Sequence, residues 1–563
     1  MVFAAILLSA CNDFLDKSPD MRATIDTKDK VQKLLVSAYA DVNYAFMCEL
    51  ASDNLIDNNS PNSNGEFYNK TSMSSYHDEL FAWQDVVSGS AQDSPYYVWN
   101  GAYKAIAVAN QALQAIEKLE AQGVNMDAEK AEALLVRAYY HFVLVNIFCQ
   151  AYKDETLSKE DLGVYYITEP ETTVFADYPR TTVAETYKHI EDDLEEALPL
   201  VSDEYYSVPK YHFNAEAAHA FAARFFLYKR DYNRVITEAN KVLGITAEDA
   251  ANKMFDAKTT YTSVSNAIFE RNLWFDASSK GNLLIRTSNS YAFNAVVSYA
   301  RYAFNRDARD YTIRGAGPCW TSSFPGMHLY GSDSNIGNFL AKMWYFFQYT
   351  DRVQGTGYPR CMHRDFTTDE TLLCRAEAKI FLNDFDGALS DLQVWSQSYN
   401  VGGRMQKLTR SSIEHFYTST SKYVKRLHNT DMSPSFTVTA AQAPWIHCVL
   451  HFRRIETLWE GLRFFDIKRY GIEIEHSIGN SPNIKTTLIW NDDRRAIQLP
   501  QEVIASGMGA NPRVVLGPNA GKLMSAPSAN NSDPSPIALA AAEAYIAQQA
   551  SALVNDSSVL VND

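Results

Sequence analysis

The sequence of 563 residues has no long apolar run and no excess of basic charge. After residue 10, no stretch reaches the roughly 18 to 20 consecutive apolar residues that cross a bilayer, so we expect a water-soluble body. The 67 acidic residues outnumber the 51 basic ones and give a net charge of −16. Proteins that bind nucleic acid or anionic lipid normally carry a basic surface, and this balance argues against both classes.

The common catalytic and zinc-binding motifs are also missing. The sequence has no G-x-S-x-G, Walker loop or H-E-x-x-H, and no C-x-x-C pair, which excludes the usual zinc frameworks. If Cys11 has another role, the remaining six cysteines could pair in an oxidising compartment, although their spacing does not indicate which would meet. The seven cysteines are Cys11, Cys48, Cys149, Cys319, Cys361, Cys374 and Cys448.

The amino terminus has the pattern of an export signal. Residues 1–10 form a short apolar run that ends in small residues, as at a secretory cleavage site. Leu8-Ser9-Ala10-Cys11 resembles a bacterial lipobox, in which the chain is cut before the cysteine and the cysteine is acylated. Acyl chains would anchor an otherwise soluble body. No Lys or Arg precedes the run, and the alternatives are an ordinary signal peptide or a buried strand with an incidental cysteine.

Apolar residues at helical spacing predict a mostly α protein. The region 244–365 differs, because its Gly, Ser, Asn and Asp residues predict loops with short strand pairs, where recognition usually occurs. The tail from Ser525 predicts a weakly ordered end with a marginal helix at 537–553. The predicted helices and helical pairs lie at 28–50, 99–149, 183–198, 215–243, 370–397 and 445–468.

Two of these helical pairs resemble each other. Ala223–Tyr232 aligns with Ala376–Phe385, and in both segments a helix ends in an Asp-aromatic turn before a second amphipathic helix. This order is typical of a tetratricopeptide hairpin, but long irregular stretches separate the two units. We therefore expect a scaffold of tetratricopeptide-like helical hairpins with a loop-rich second lobe, and not a simple solenoid.

The segment 453–471 resembles the C-terminal signature of the SusD/RagB family, the nutrient-binding lipoproteins of Bacteroidetes outer membranes. The matching residues are Arg454, Glu456, Glu460, Gly461, Arg463, Asp466, Ile467 and Arg469. The Ala-rich tail beyond about residue 520 departs from the pattern. Weaker matches occur in the expected order at 11–16, 51–53, 99–110, 373–378, 494–500 and 511–512.

The resemblance implies a SusD-like α/α superhelix that captures oligosaccharides or polysaccharides at the cell surface and needs no cofactor. It implies delivery to a TonB-dependent, SusC-like barrel transporter, and a lipid anchor on Cys11 in the outer membrane, facing outside. A peptide-binding RagB-like protein, a tetratricopeptide adaptor for protein ligands and a glycosidase are the alternatives. The implied regions are a signal peptide at 1–10, a helical region with early binding loops at 11–243, a loop-rich lobe at 244–365, a C-terminal helical region at 366–515 and a tail at 516–563.

If it is helical, the signature predicts an ion-pair network and not a catalytic site. Gly461 weakens a helix, which indicates that a neighbouring backbone passes close to it. Three pairs of opposite charge are each three residues apart, the spacing at which side chains on a helix meet: Arg453–Glu456, Glu460–Arg463 and Asp466–Arg469.

Two small clusters could suggest chemistry, and neither is complete. Glu456 and Glu460 are a possible carboxylate pair for glycoside hydrolysis, but a nearby arginine favours the ionised form of each and suits neither to a general acid. His447 and His451 have helical spacing for a metal, without a third placed ligand. We therefore expect neither an enzyme nor a metal site.

Aromatic residues are the best candidates for ligand binding, since they make up 13% of the chain. Sugars stack on Tyr or Trp and form hydrogen bonds to polar side chains in a mostly pre-formed site. For any single aromatic residue core packing is the more common role, and Trp99, at helical spacing, is expected in the core. The candidates precede or begin the first hairpin, or lie in the central loops: Tyr68, Trp83, Tyr96, Tyr97, Asn100, Trp320 and Tyr330.

Overall fold

The computed structural model shows a mostly α-helical protein, as the sequence predicts. The expected signal peptide, Cys11, Tyr68 and the tail 516–563 lie outside the residues that the structure describes. The described residues are 25–58, 72–87, 89–170, 178–263, 266–298, 301–331, 337–477 and 485–513.

The helices and strands of the described residues follow one another along the chain. The α-helices are α1 (Lys28–Leu35), α2 (Tyr44–Leu50), α3 (Ser75–Phe81), α4 (Pro95–Glu120), α5 (Asp127–Phe148), α6 (Val183–Ala197), α7 (Ala215–Lys229), α8 (Tyr232–Leu243), α9 (Ala247–Ala251), α10 (Ala257–Ser263), α11 (Ala267–Trp274), α12 (Arg306–Asp310), α13 (Thr368–Phe381), α14 (Phe385–Ser398), α15 (Arg410–Phe416), α16 (Asn429–Met432), α17 (Ala443–Glu456), α18 (Leu462–Tyr470) and α19 (Gln501–Ala505). The strands are β1 (Ile56–Asp57), β2 (Asn282–Asn289), β3 (Tyr302–Ala303), β4 (Phe346–Asp351), β5 (Thr356–Thr367), β6 (Ile474–Ser477) and β7 (Lys485–Leu488).

The longest hairpin consists of α4 and α5, where the sequence predicts one. Ser94 caps α4 by accepting a hydrogen bond from the Tyr97 backbone N–H at 3.3 Å, and Pro95 occupies the first turn. Helix α5 is the one helix among the described residues that is long and apolar enough to cross a membrane. Its whole apolar stretch is buried inside the protein, so α5 is a core helix.

The two segments that resemble each other fold alike. Arg230 ends α7 at φ +71°, and Asn383 lies just after α13 at φ +61°. Asp231 and Asp384 then cap α8 and α14, each by accepting from a backbone N–H three residues on, at 3.1 and 2.9 Å. The Asp-aromatic turn predicted from the sequence is therefore present in both hairpins, and α8 packs against α13.

The central region contains a three-stranded antiparallel sheet with the order β2-β5-β4. Strand β5 is the middle strand and pairs with β2 from Asn282↔Thr367 to Asn289↔Arg360. Strands are expected here, but the region also contains more helix than expected, in α9 to α12. Because β5 continues directly into α13, the sheet is joined to the second pair of similar helices.

The predicted helix at 28–50 is divided in the structure. Helix α1 ends at Leu35, a 3-10 turn follows at 36–38, and α2 begins at Tyr44. Asn43 caps α2 by accepting from the Phe46 backbone N–H at 3.3 Å. The segment between the two helices forms hydrogen bonds to other elements and becomes part of the site described below.

The predicted helix at 445–468 is also two helices. Helix α17 ends at Glu456 and α18 begins at Leu462, with Gly461 at φ +77° just before it. The Gly461 N–H donates to Glu49 Oε1 at 3.0 Å, and a Cβ at position 461 would lie 2.9 Å from the Cα of Ala45. A neighbouring backbone therefore passes as close to Gly461 as the sequence suggests.

Because the helix is interrupted, Glu456 and Glu460 bind a partner other than those predicted for them. Both contact Arg364 of β5, at 3.3 and 3.0 Å. The third predicted pair, Asp466–Arg469, is present at 3.0 Å.

Two arginines of the segment 453–471 converge on α13. Arg453 and Arg469 both bind the buried carboxylate of Glu377, and Arg453 also lies 3.6 Å from Glu370. These contacts hold the C-terminal helices against the sheet and the second hairpin, and burial makes each ion dependent on its partners.

The described cysteines are buried thiols. Cys48, Cys149, Cys319, Cys361, Cys374 and Cys448 are all unpaired. The pairing that the sequence left open is therefore absent among these six residues.

We expect Gly461→Ala to destabilise the protein strongly. The alanine would have to keep φ at +77°, with its Cβ 2.9 Å from the backbone of Ala45. Strain and overpacking together should lower the free energy of unfolding by about 2 to 4 kcal/mol, measured by urea denaturation.

Gly89→Ala is the matched control for this substitution. Gly89 also has a positive φ, +64°, but no described atom lies within 4 Å of the position that its Cβ would take. Only the backbone strain of about 1 kcal/mol should appear. Equal losses in the two variants would show that the close approach at Gly461 has no energetic role.

Candidate ligand-binding cavity

Three of the residues predicted to bind ligand, Tyr96, Tyr97 and Asn100, line one cavity of about 480 Å³. The cavity lies between segment 37–42 and the first turns of α4. Small-molecule sites are usually concave and of this size. The other lining residues are Ser37, Tyr39, Ala40, Asp41, Val42, Gly101, Lys104 and Ala105.

Helix α4 provides the wall that carries most of the polar groups. Tyr97, Asn100 and Lys104 recur at helical spacing, so their side chains lie on one side of the helix. Asn100 and Lys104 are exposed, and within the described chain neither side chain has a hydrogen-bond or ion-pair partner. Partial burial raises the pKa of Tyr97, and the Asp41 carboxylate raises it further. The Tyr97 hydroxyl therefore stays protonated at neutral pH.

Gly101 allows segment 37–42 to lie directly on α4. A Cβ at position 101 would lie 2.2 Å from Cγ1 of Val42. A larger residue would push the segment away and change the shape of the cavity.

Hydrogen bonds to helix α5 and strand β2 hold segment 39–43 in place. The Ala40 N–H donates to the Tyr140 hydroxyl of α5 at 2.6 Å. Arg286 of β2 donates from Nη1 to the carbonyl oxygens of Ala40 and Val42, at 2.9 and 2.7 Å. Asp365 of β5 holds that guanidinium at 2.8 Å. The wall is thus formed before a ligand arrives, which lowers the entropy lost on binding.

One end of the three-stranded sheet, at Asn289 of β2 and Arg360 of β5, contacts Asp41. The Asn289 backbone N–H donates to Asp41 Oδ1 at 2.8 Å, and the Arg360 guanidinium forms an ion pair with the same carboxylate. Arg360 Nε also donates to Gln348 Oε1 at 2.8 Å. The Asp41 carboxylate and the Arg360 guanidinium therefore neutralise each other beside the cavity.

Tyr39 is oriented by a buried carboxylate beneath the cavity. Its hydroxyl donates to Glu132 Oε1 at 2.6 Å and accepts from the Phe213 backbone N–H at 2.7 Å. His212 and Tyr205 also bind Glu132. Because burial raises the pKa of Tyr39 well above its usual range, the phenol stays neutral. Its hydroxyl is fully used, so Tyr39 offers only ring surface to the cavity.

The lining groups are suited to binding without covalent chemistry. Asp41 is the one carboxylate among the lining residues, and it is paired with Arg360. Glycoside hydrolysis by the usual route requires two carboxylates with separate roles. Tyrosine rings, a free amide and a free ammonium group instead match a ligand that has apolar faces and hydroxyl groups.

Trp83 and Trp320, also predicted to bind ligand, are core residues in the structure, each 4% exposed. Trp83 Nε1 donates to the carbonyl of Ala51 at 2.8 Å, and the ring stacks on His476 at 4.2 Å between ring centres. Trp320 Nε1 donates to the carbonyl of Gly315 at 2.9 Å. Packing covers both indoles, so neither offers a ring face to a ligand.

Tyr330 is not one of the residues that line the cavity either. Its hydroxyl donates to Glu270 Oε2 at 2.7 Å, and its ring stacks on Phe339. Trp99 is buried in the core, as expected from its helical spacing.

Several residues of the site were not predicted: Tyr39, Asp41, Lys104 and Arg360. Asn43 is a favourable N-cap residue, and its side chain accepts from the backbone N–H of Phe46, three residues on. Its presence in the sequence could have indicated the break before α2. Lys104 follows Asn100 by one helical turn, which is also visible in the sequence. Nothing in the sequence indicated that Arg360 belongs to the site, because only strand pairing brings it to Asp41.

The two clusters weighed for chemistry have structural roles in this fold. Besides Arg364, Glu456 binds Trp395, whose Nε1 donates to Glu456 Oε2 at 3.0 Å. Burial lowers the pKa of His447 to about 4 and that of His451 to about 3, so both imidazoles are neutral. Across the described residues, no three or more His, Cys, Asp or Glu side chains are arranged to hold a metal ion.

Comparisons with known proteins found a family model and solved structures to which this chain is similar. A SusD-like family model, described as "starch-binding associating with outer membrane", matches residues 13–227. The comparison with curated proteins returned no match.

Similar solved structures cover most of the chain. A SusD superfamily protein from Bacteroides thetaiotaomicron VPI-5482 is 17% identical, with a TM-score of 0.58, over 87% of this chain and 100% of that one. A SusD superfamily protein from Bacteroides vulgatus ATCC 8482 is 19% identical, with a TM-score of 0.56, over 86% and 97%. A SusD-like carbohydrate binding protein from the same organism is 16% identical, with a TM-score of 0.54, over 85% and 96%. At these identities the structures share the fold.

We expect Gly101→Ala to lower the free energy of unfolding by about 1 to 3 kcal/mol, because the new methyl group would overlap Val42. This loss should outweigh the roughly 1 kcal/mol by which alanine favours a helix over glycine. Val42→Ala makes room for the methyl group, so the double variant should be more stable than the sum of the two single effects. Urea denaturation of the four proteins measures the coupling, and strict additivity would contradict the contact.

Proposed function

We propose that the chain is a member of the SusD-like family, whose model matches residues 13–227, and that it binds carbohydrate in the cavity between segment 37–42 and α4. One observation carries the proposal: Tyr96, Tyr97 and the unpartnered Asn100 amide share a pre-formed cavity of about 480 Å³. The starch-binding description of the family model and the carbohydrate-binding neighbour support the same class of ligand.

The proposed mechanism is capture without a change in covalent bonds. The apolar face of a sugar stacks on the tyrosine rings of α4, while its hydroxyl groups form hydrogen bonds with Asn100 and Lys104. The fixed loop 39–43 limits the entropy lost on binding. Arg360, which pairs with Asp41, would contact a glycan that extends out of the cavity.

We also propose that the protein is held at the outer membrane by a lipid on Cys11 and faces outside. The family description, which names association with the outer membrane, supports the location, and the Leu8–Cys11 pattern supports the anchor. The bound glycan would pass to a TonB-dependent, SusC-like barrel, for which the helical scaffold offers a broad surface.

Isothermal titration against a panel of glycans and oligopeptides tests the cavity. We expect heat with a glycan, and about tenfold weaker binding in Tyr96→Ala and in Tyr97→Ala, equivalent to about 1.4 kcal/mol. Tyr211→Ala is the matched control, because Tyr211 is 49% exposed and does not line the cavity.

Three results would contradict this proposal. Heat with peptides alone would favour a peptide-binding RagB-like protein. Equal losses of glycan affinity in all three tyrosine variants would show that the cavity is not the binding site. Release of shorter glycans would reveal an enzyme.

Metabolic labelling with palmitate tests the anchor. We expect the wild-type protein to incorporate the label and Cys11→Ala to lose it completely, because acylation requires that thiol. Cys361→Ala is the control and should keep the label, since Cys361 is buried in the folded protein. Labelled Cys11→Ala protein would exclude the lipobox.

A further inference from the structure

A second pocket, of about 40 Å³, shares no lining residue with the candidate cavity. Helices α17 and α18 provide Arg454 and Arg463, and the loop before α16 provides Lys422 and Lys425. Tyr311 closes another side. The remaining lining residues are Tyr423, His447, Leu450, His451 and Ile472, so four cationic side chains share the pocket with aromatic and apolar ones.

Arg454 and Arg463 share one carboxylate. Asp53 lies 3.2 Å from Arg454 and accepts two hydrogen bonds from Arg463, at 2.7 and 2.9 Å. Arg454 also donates hydrogen bonds to Oδ1 of Asn54 and to the carbonyl oxygen of Asp53. Two guanidinium groups and one carboxylate leave one positive charge in excess.

Lys422 and Lys425 add to this excess. Both are exposed, and neither forms an ion pair with a carboxylate among the described residues. Lys422 Nζ lies 4.9 Å from the ring centre of Tyr311 and 5.1 Å from that of Tyr423, and Lys425 Nζ lies 5.8 Å from Tyr311. Cation–π attraction to these rings keeps the two ammonium groups near the pocket.

The other acidic groups nearby do not cancel the charge. Asp310 is paired with Arg309 at 2.8 Å. Glu49 is buried, and burial raises its pKa to about 7, which reduces its negative charge at neutral pH. A concave site with about three excess positive charges therefore exists in a protein whose net charge is −16.

We propose that this pocket binds the carboxylate group of a small acidic ligand such as a uronic acid. A water molecule needs about 10 to 15 Å³, so a pocket of about 40 Å³ accommodates the three heavy atoms of a carboxylate. Charge-assisted hydrogen bonds from the lysines would hold its oxygens, and the ring of Tyr311 would contact the rest of the ligand. The proposal does not depend on carbohydrate binding in the first cavity.

Isothermal titration of the purified chain at low ionic strength tests the pocket with acetate, glucuronate and glucose. We expect acetate or glucuronate to bind, and Lys422→Gln/Lys425→Gln to weaken that binding at least tenfold. Lys118→Gln/Lys407→Gln is the matched control, because it removes the same charge from two exposed lysines outside the pocket and should change nothing. Unfolding midpoints of both double variants should equal that of the wild type.

The outcomes separate the possible sources of the carboxylate. Equal affinities for acetate and glucuronate mean that the carboxylate alone is recognised, whereas tighter binding of glucuronate identifies an acidic sugar. Tyr96→Ala/Tyr97→Ala should leave acetate binding intact, so failure of the first cavity would not affect this test. No binding of either carboxylate, or equal binding in the pocket variant and the wild type, overturns the proposal.

Discussion

The candidate cavity depends on one buried ion pair between neighbouring strands, Arg286 of β2 and Asp365 of β5. Burial of a charged group is very unfavourable unless it is paired and fully hydrogen-bonded, so the guanidinium must keep all of its partners. Two of these partners are the carbonyl oxygens of Ala40 and Val42. The sheet therefore fixes the position of segment 39–43, and the cavity against α4 forms where that segment is held.

This constraint also explains what could and could not be predicted. The helical hairpins follow from apolar spacing and local capping, as at Ser94 and Asp384, and the chain carries that information within a few residues. The break in the predicted helix 28–50 depends on Arg286, which lies more than 240 residues away from the carbonyls it binds. A long-range hydrogen bond leaves no periodic pattern, so the N-cap residue Asn43 was the one local signal that could have indicated the break.

The site residues divide in the same way. Tyr96, Tyr97 and Asn100 could be found because they lie close together in the sequence where the first predicted hairpin begins, although α4 itself starts earlier than predicted, at Pro95. Trp83 and Trp320 are of the residue type that stacks on sugars, but both are buried in the core. Residue type alone does not indicate whether a side chain is exposed. The buried charges of the segment 453–469 join α17, α18, the sheet and α13, so in this structure they hold the fold together.

The two pockets should respond differently to salt because their charges are balanced differently. In the first cavity Asp41 is neutralised by Arg360 and the proposed ligand is an uncharged sugar, so binding there depends on stacking and on hydrogen bonds to neutral hydroxyl groups, which salt hardly weakens. At the second pocket an acidic ligand approaches a protein of net charge −16, and repulsion acts on it at long range. Ionic screening over about 8 to 10 Å reduces that repulsion, while the attraction of Lys422 and Lys425 operates at contact distance. Moderate salt should therefore ease the approach of an anion before it weakens the bound state.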